Sequence, residues 1–116
     1  MKGSYCIVAF LPEDTEIEVA RLGTFRFPSG LYVYTGSALS SLEGRIRRHF
    51  SKEKKKKWHI DFFLEKAEPV GFFPFVSSKK EECSINSNFL KDGKVVAKGF
   101  GSSDCSCPSH LVYLGD

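Results

Sequence analysis

The 116 residues suffice for one domain with a single core, and 41% apolar against 27% charged residues mark a globular chain, not a disordered or fibrous one. A net charge of +3 excludes no class of partner by itself, so the clustering of charge counts for more than its sum. The apolar run Tyr5 to Leu11 is too short for a membrane span or a leader and is followed by Pro12-Glu13-Asp14, so no membrane association and a cytoplasmic location are expected.

Along the chain, Ser4 to Leu11 alternates Tyr5, Ile7, Ala9 and Leu11 against Cys6, Val8 and Phe10. Both faces are apolar, which predicts a central, covered strand. Glu16 to Ala20 and Thr24 to Phe27 read as short strands around a turn at Leu22-Gly23, and Pro28-Ser29-Gly30 is a further turn. Leu31 to Gly36 is β-branched and aromatic, a strand on which Tyr32 and Tyr34 share a face. Ser40-x-x-Glu43 has the form of a capping box and predicts a helix from about Leu42 to Phe50, with Leu42, Ile46 and Phe50 as its apolar stripe. Arg45 and His49 lie one turn apart along the flank of that stripe. Gly44 costs about 1 kcal/mol inside a helix, and its small size permits a close approach.

The lysines at 54–57 read as a loop or helix end, and Trp58 to Ala67 as a second helix stopped before Pro69. Val70 to Val76 has strand composition, and Pro74 places it at a sheet edge. Ser78-x-x-Glu81 predicts the cap of a third helix with Glu82, Ile85, Asn86 and Phe89 inward and Gly93 at its end. A Gly- and Ser-rich loop over 99–107 precedes a closing strand at His110 to Leu114. The expected class is α/β in the broad sense (α+β): a small, mostly antiparallel central sheet flanked by helices, residues 1–116 forming one domain. Eleven phenylalanines against one methionine predict a core built around aromatic rings.

Tyr5, Tyr34, Arg45, His49 and Glu82 are residue types that together can cleave a phosphodiester. The reaction needs a positioned water, a proton acceptor and positive charge for the developing phosphorane. Arg45 matches two phosphate oxygens with its fork, and Glu82 suits a magnesium ion that keeps most of its waters. His49 can take or relay a proton, whereas a tyrosine serves as base only if its pKa falls well below ~10. Arg47, Arg48, Lys54, Lys55, Lys56 and Lys57 supply a basic surface for nucleic acid, with His59 beside it.

The blocks Gly3-Ser4-Tyr5, Tyr32-Val33-Tyr34-Thr35-Gly36-Ser37-Ala38, Arg45 to His49, Trp58-His59-Ile60-Asp61, Glu82-Cys83, and Phe100 to Cys105 with Ser109-His110-Leu111 together resemble the GIY-YIG nuclease superfamily. They are most similar to a small branch of it that is sometimes fused to endonuclease III. The resemblance implies an endonuclease dependent on Mg2+ or Mn2+, acting on DNA in preference to RNA, with possible DNA-repair partners. By position it makes Tyr5 and Tyr34 the motif tyrosines, Arg45 the helix arginine and Glu82 the metal carboxylate. Ser4 stands where the motif usually has Ile, the segment between the two motifs is longer than usual, and Asp104 or Asn86 stands nearest the late asparagine of many members. The alternative is a non-catalytic nucleic-acid-binding module with the same fold.

Cys83, Cys105, Cys107 and His110 are a chemically sufficient set for tetrahedral zinc. The Cys-x-Cys-x-x-His spacing is not that of a standard knuckle, and Cys83 is remote in sequence. A zinc-stabilised interaction domain is therefore the third alternative, and reduced, metal-free thiols are the expectation.

Overall fold

The computed structural model describes residues 2–38, 40–52, 54–77, 81–102 and 105–115. These residues form an α+β fold of seven strands and three helices. Strand β1 (Gly3–Leu11) lies inside a five-stranded sheet with β4 (Gly30–Ala38) on one side and β5 (Glu68–Val76) on the other. The order is β5-β1-β4-β7-β6, where β6 is Lys94–Val95 and β7 is Leu111–Gly115, and every pairing is antiparallel. The two-residue β6 has no counterpart in the sequence reading, since so short a strand exists only by virtue of the partner it pairs with. Strands β2 (Thr15–Val19) and β3 (Gly23–Phe27) form a separate hairpin, which is the long segment between the two motifs.

Register follows from the alternation in β1. Tyr5, Ile7, Ala9 and Leu11 point to one face and stand opposite Gly36, Tyr34, Tyr32 and Gly30. Helix α1 (Leu42–Phe50) covers one end of that face with Leu42 and Ile46, against Tyr5, Ile7 and Ala38. The other end is covered by Ile60 and Phe63 of α2 (His59–Leu64) and by Ile17, Val19 and Phe27 of the hairpin. Aromatic rings do centre this core: Phe63 lies 5.2 Å from Phe27 and 4.9 Å from Tyr32 between centroids. Phenylalanine is not confined there, however. Phe72, Phe73 and Phe75 on the outer strand β5 are exposed, although Phe50 of α1 packs against Phe72 with ring centroids 5.9 Å apart.

Three local readings are corrected. The cap of α1 is Ser41, not Ser40: Ser41 Oγ accepts the Gly44 N–H at 3.0 Å. A Cβ on residue 44 would sit 2.7 Å from that oxygen, so Gly44 makes room for the cap and not for a ligand. Helix α2 is shorter than the expected Trp58 to Ala67. Trp58 is its extended N-cap, and the backbone N–H groups of Lys66 and Ala67 both turn back to the Phe63 carbonyl so that the chain can enter β5 at Glu68. Helix α3 (Glu82–Leu90) begins after Glu81, with the expected cap at Ser78 outside the described residues, and ends where the Gly93 N–H meets the Phe89 carbonyl at 2.9 Å. Among the described residues no helix is long and apolar enough to cross a membrane.

The cap assignment is directly testable. Ser41→Ala should destabilise the protein by about 1 kcal/mol in urea unfolding, whereas Ser41→Asp keeps an acceptor for the Gly44 N–H and should hold the midpoint near that of the wild type. A wild-type midpoint for Ser41→Ala would remove Ser41 as the cap.

Candidate functional site

Strands β1 and β4, helix α1 and the starts of α2 and α3 surround one cavity of about 410 Å3. Tyr5, Tyr34, Arg45, Lys57, His59 and Glu82 all line it. The fold thus gathers residues that lie up to 77 positions apart, as Tyr5 and Glu82 do. Tyr5 and Tyr34 arrive from adjacent strands on one face, with ring centroids 6.4 Å apart. Gly36 is required between them, since a Cβ there would approach the Tyr5 hydroxyl to 2.5 Å.

His49, expected along the flank of the α1 stripe, is buried. It is 1% exposed, behind Tyr5, and its Nε2 is 2.7 Å from the Tyr5 hydroxyl. Burial pushes the His49 pKa down to about 4 against the nearby Asp61 charge, and Arg48, Lys54 and Arg45 push the same way as burial. The imidazole is therefore neutral at pH 7. Burial also raises the Tyr5 pKa to about 12, although Arg45 opposes the rise. Tyr5 alone is thus a poor base, and the condition for a tyrosine base, a pKa well below ~10, is not met by this environment itself. The resting pair is a phenol against a neutral imidazole, and a proton moves between them only if added positive charge favours the phenolate.

Arg45 is held from two sides. Its Nη1 donates to the Ser37 carbonyl at 3.0 Å, and its guanidinium lies 4.4 Å from the Trp58 ring centroid. Arg48 lies 4.3 Å from the same centroid and is engaged elsewhere. It donates two hydrogen bonds, of 2.9 and 3.0 Å, to the fully buried Asp61 carboxylate. The Lys57 and Trp58 amides donate to Asp61 as well, at 2.8 and 2.9 Å. Burial by itself would raise the Asp61 pKa, but the Arg48 fork and the two amides outweigh it and hold the carboxyl below its usual range.

The basic run divides accordingly. Lys54 Nζ donates to the Arg48 and His49 carbonyls at 3.2 and 3.0 Å and so closes the C-terminal end of α1. Lys56 pairs with Glu65 at 2.8 Å. Arg47 faces an apolar groove between α1 and β5 beside Phe50 and Phe72, not the central cavity. Lys55 is exposed, and Lys57 is exposed at the cavity rim. His59 accepts the Gly101 N–H on Nδ1 at 2.8 Å, which fixes its proton on Nε2, and burial lowers its pKa. Trp58 and Asp61 were legible in sequence as a local motif, but their grip on both arginines was not, because Arg45 and Arg48 belong to another helix.

Glu82 stands at the first residue of α3 on the cavity wall, and its Oε2 is buried with no hydrogen-bond partner among the described residues. A buried carboxylate oxygen without a donor is costly unless a cation meets it. Asn86 is fully buried and donates to the Ser109 carbonyl at 2.6 Å, a structural bond, and Asp104 lies outside the described residues.

Beside Glu82 the structure closes a gap that the sequence left open. The ligand atoms of Cys83, Cys105, Cys107 and His110 all lie within 4.8 Å of one another, forming a group able to hold a metal ion. The separation of Cys83 from the others in sequence is thus no obstacle. The thiols are unbridged, as expected for reduced cysteines. Partial burial and the neighbouring Cys107 and Cys105 push the Cys83 pKa up to about 12.

The His49 shift has a measurable consequence. Its folded pKa is depressed from 6.5 to about 4, so between those values the unfolded chain binds more protons. The corresponding stability is fully present above pH 6.5 and is lost as pH falls towards 4, about 3 kcal/mol in all. Urea unfolding over that range should show a slope that His49→Gln largely removes, with a residue from His59, whose shift has the same sign. Equal slopes in the two proteins would assign the proton to another group.

The chain belongs to the family described as domain of unknown function DUF123, whose model matches residues 4–116. No curated protein and no solved structure matches it.

Proposed function

We propose that this chain is a GIY-YIG-like endonuclease that hydrolyses phosphodiester bonds in DNA with Mg2+ or Mn2+, acting in or beside DNA repair. The single observation that carries the reading is the convergence on one cavity of two strand tyrosines, a fixed arginine and a carboxylate whose buried oxygen has no partner among the described residues. A cavity of about 410 Å3 is large enough to admit a phosphate with its flanking sugars.

In this reading Arg45 binds the scissile phosphate. Its bond to Ser37 and its stacking on Trp58 hold the charge in place before substrate arrives, so little reorganisation is needed as negative charge develops. Glu82 is the metal ligand, and a bound divalent ion supplies Lewis-acid stabilisation and acidifies nearby hydroxyl groups. Tyr5 takes the proton of the attacking water at its oxygen as its own proton passes to His49 Nε2. Arg45 already lowers the Tyr5 pKa, and a second cation would act in the same direction. Tyr34 lines the cavity beside Tyr5 and orients the substrate.

Glu82→Gln preserves shape and removes the charge that retains the ion. The variant should fold and bind DNA at least as well as wild type, and its metal-dependent nicking of a duplex should be lost. Normal cleavage by Glu82→Gln would remove Glu82 as the ligand. Absence of cleavage by wild type on any DNA or RNA with Mg2+ or Mn2+ would leave the non-catalytic binding module as the reading.

The lysines test the binding face separately. Replacing Lys55 and Lys57 together by Gln should lower the slope of log affinity against log salt by about two units on duplex DNA. Replacing Lys54 and Lys56 should change it little, because one is bound to the end of α1 and the other to Glu65. An equal effect of both pairs would show that the run acts as diffuse charge.

A further inference from the structure

We propose that Cys83, Cys105, Cys107 and His110 form a closed, four-ligand zinc site that ties the start of α3 to the loop before β7. This site is separate from the hydrolytic ion assigned to Glu82, and it stands whether or not the chain cleaves nucleic acid. The donor set is three thiols and one imidazole, with all four ligand atoms within 4.8 Å of one another. In a tetrahedral zinc centre, Zn–S bonds of ~2.3 Å and Zn–N bonds of ~2.0 Å place ligand atoms roughly 3.5–3.8 Å apart. His110 Nε2 already lies 3.2 Å from Cys105 Sγ and 3.7 Å from Cys83 Sγ. Such spacing suits one ion and is too small for a multi-iron cluster.

The orientation of His110 gives independent support. Its Nδ1 lies 2.9 Å from the Thr35 carbonyl, an acceptor only, so Nδ1 carries the proton and donates it. Nε2 is left with a lone pair directed at the sulfurs. A ligating histidine whose second nitrogen donates to a backbone carbonyl is the usual arrangement around zinc. The loop is shaped to deliver the other ligands. Gly99 and Gly101 take φ values of +89° and +66°, and the Gly99 N–H to Pro108 and His110 N–H to Phe100 bonds, of 2.7 and 2.8 Å, clamp its two arms. Asn86 of α3 adds its bond to the Ser109 carbonyl beside His110.

The chemistry favours zinc over the hard ions. Thiolate and imidazole donors select Zn2+, whereas Mg2+ and Mn2+ take oxygen. With four protein ligands there is no open position, which marks a structural site and not a hydrolytic one. Binding releases the thiol protons to solvent and turns three crowded thiols into thiolates satisfied by the cation. Its consequence lies next door: Cys83 follows Glu82 directly, and His110 and Gly101 share the cavity wall with Glu82. The zinc centre thereby fixes the α3 side of the cavity.

The test is elemental analysis of the reduced protein purified without chelator, followed by Co2+ titration of the apoprotein. One zinc per chain is expected, and Co2+ should give thiolate-to-metal charge-transfer bands with tetrahedral d–d absorption. Cys107→Ser should lose the zinc and those bands, whereas Cys6→Ser, at a buried cysteine bonded to Thr35 away from the cluster, should keep both. Chelation of the wild type should lower its Tm. Should Cys107→Ser not fold, the wild-type Co2+ spectrum still decides. Substoichiometric zinc together with no thiolate-to-cobalt band would overturn the proposal, as would iron in the site in place of zinc.

Discussion

The buried carboxylate of Asp61 is the tie on which the cavity depends. It is wholly enclosed, and its charge is compatible with that only because four donors converge on it: two from Arg48 and the amides of Lys57 and Trp58. The pair joins α1 to the start of α2. In doing so it sets Trp58 between Arg48 and Arg45, with centroid distances of 4.3 and 4.4 Å. One arginine is neutralised in the interior so that the other can be held, charged, at the cavity. Both arginines come from one helix and lie three positions apart, yet their roles differ completely.

The same economy of space governs the tyrosine and histidine pair. Tyr5 opens β1 on the face that α1 covers, and His49 lies in the last turn of α1. Covering the sheet with α1 therefore buries the imidazole against the phenol and neutralises it. Arg47, Arg48 and His49 all sit in that last turn, where the helix dipole favours positive charge, but burial dominates for His49 and leaves it uncharged. Lys54 takes over the role of satisfying the helix end.

In the two proposals made above, metal chemistry divides between two neighbouring positions on α3. Glu82 offers a hard oxygen to the cavity, and Cys83 offers a soft sulfur to a cluster of its own kind. Adjacent residues on a helix point about 100° apart, so one helix start can serve both without the two sets mixing.

Much of this was legible from the residues alone, because period-two and period-3.6 patterns are local consequences of backbone geometry. The apolar residues of β1 marked it as a central strand, although Phe10 on its second face is exposed; Pro74 consigned β5 to the edge, and the Leu42, Ile46 stripe set the span of α1. The class of fold followed from these, as did the residue types available for phosphate and metal. What the tertiary structure alone decided is which cation is engaged and which thiols meet. Lys54, Lys56 and Arg48 look alike in a basic run and are separated only by what the fold brings opposite them. Cys83 joins Cys105, Cys107 and His110 because the loop before β7 folds back onto α3, a contact between distant segments that no local periodicity encodes.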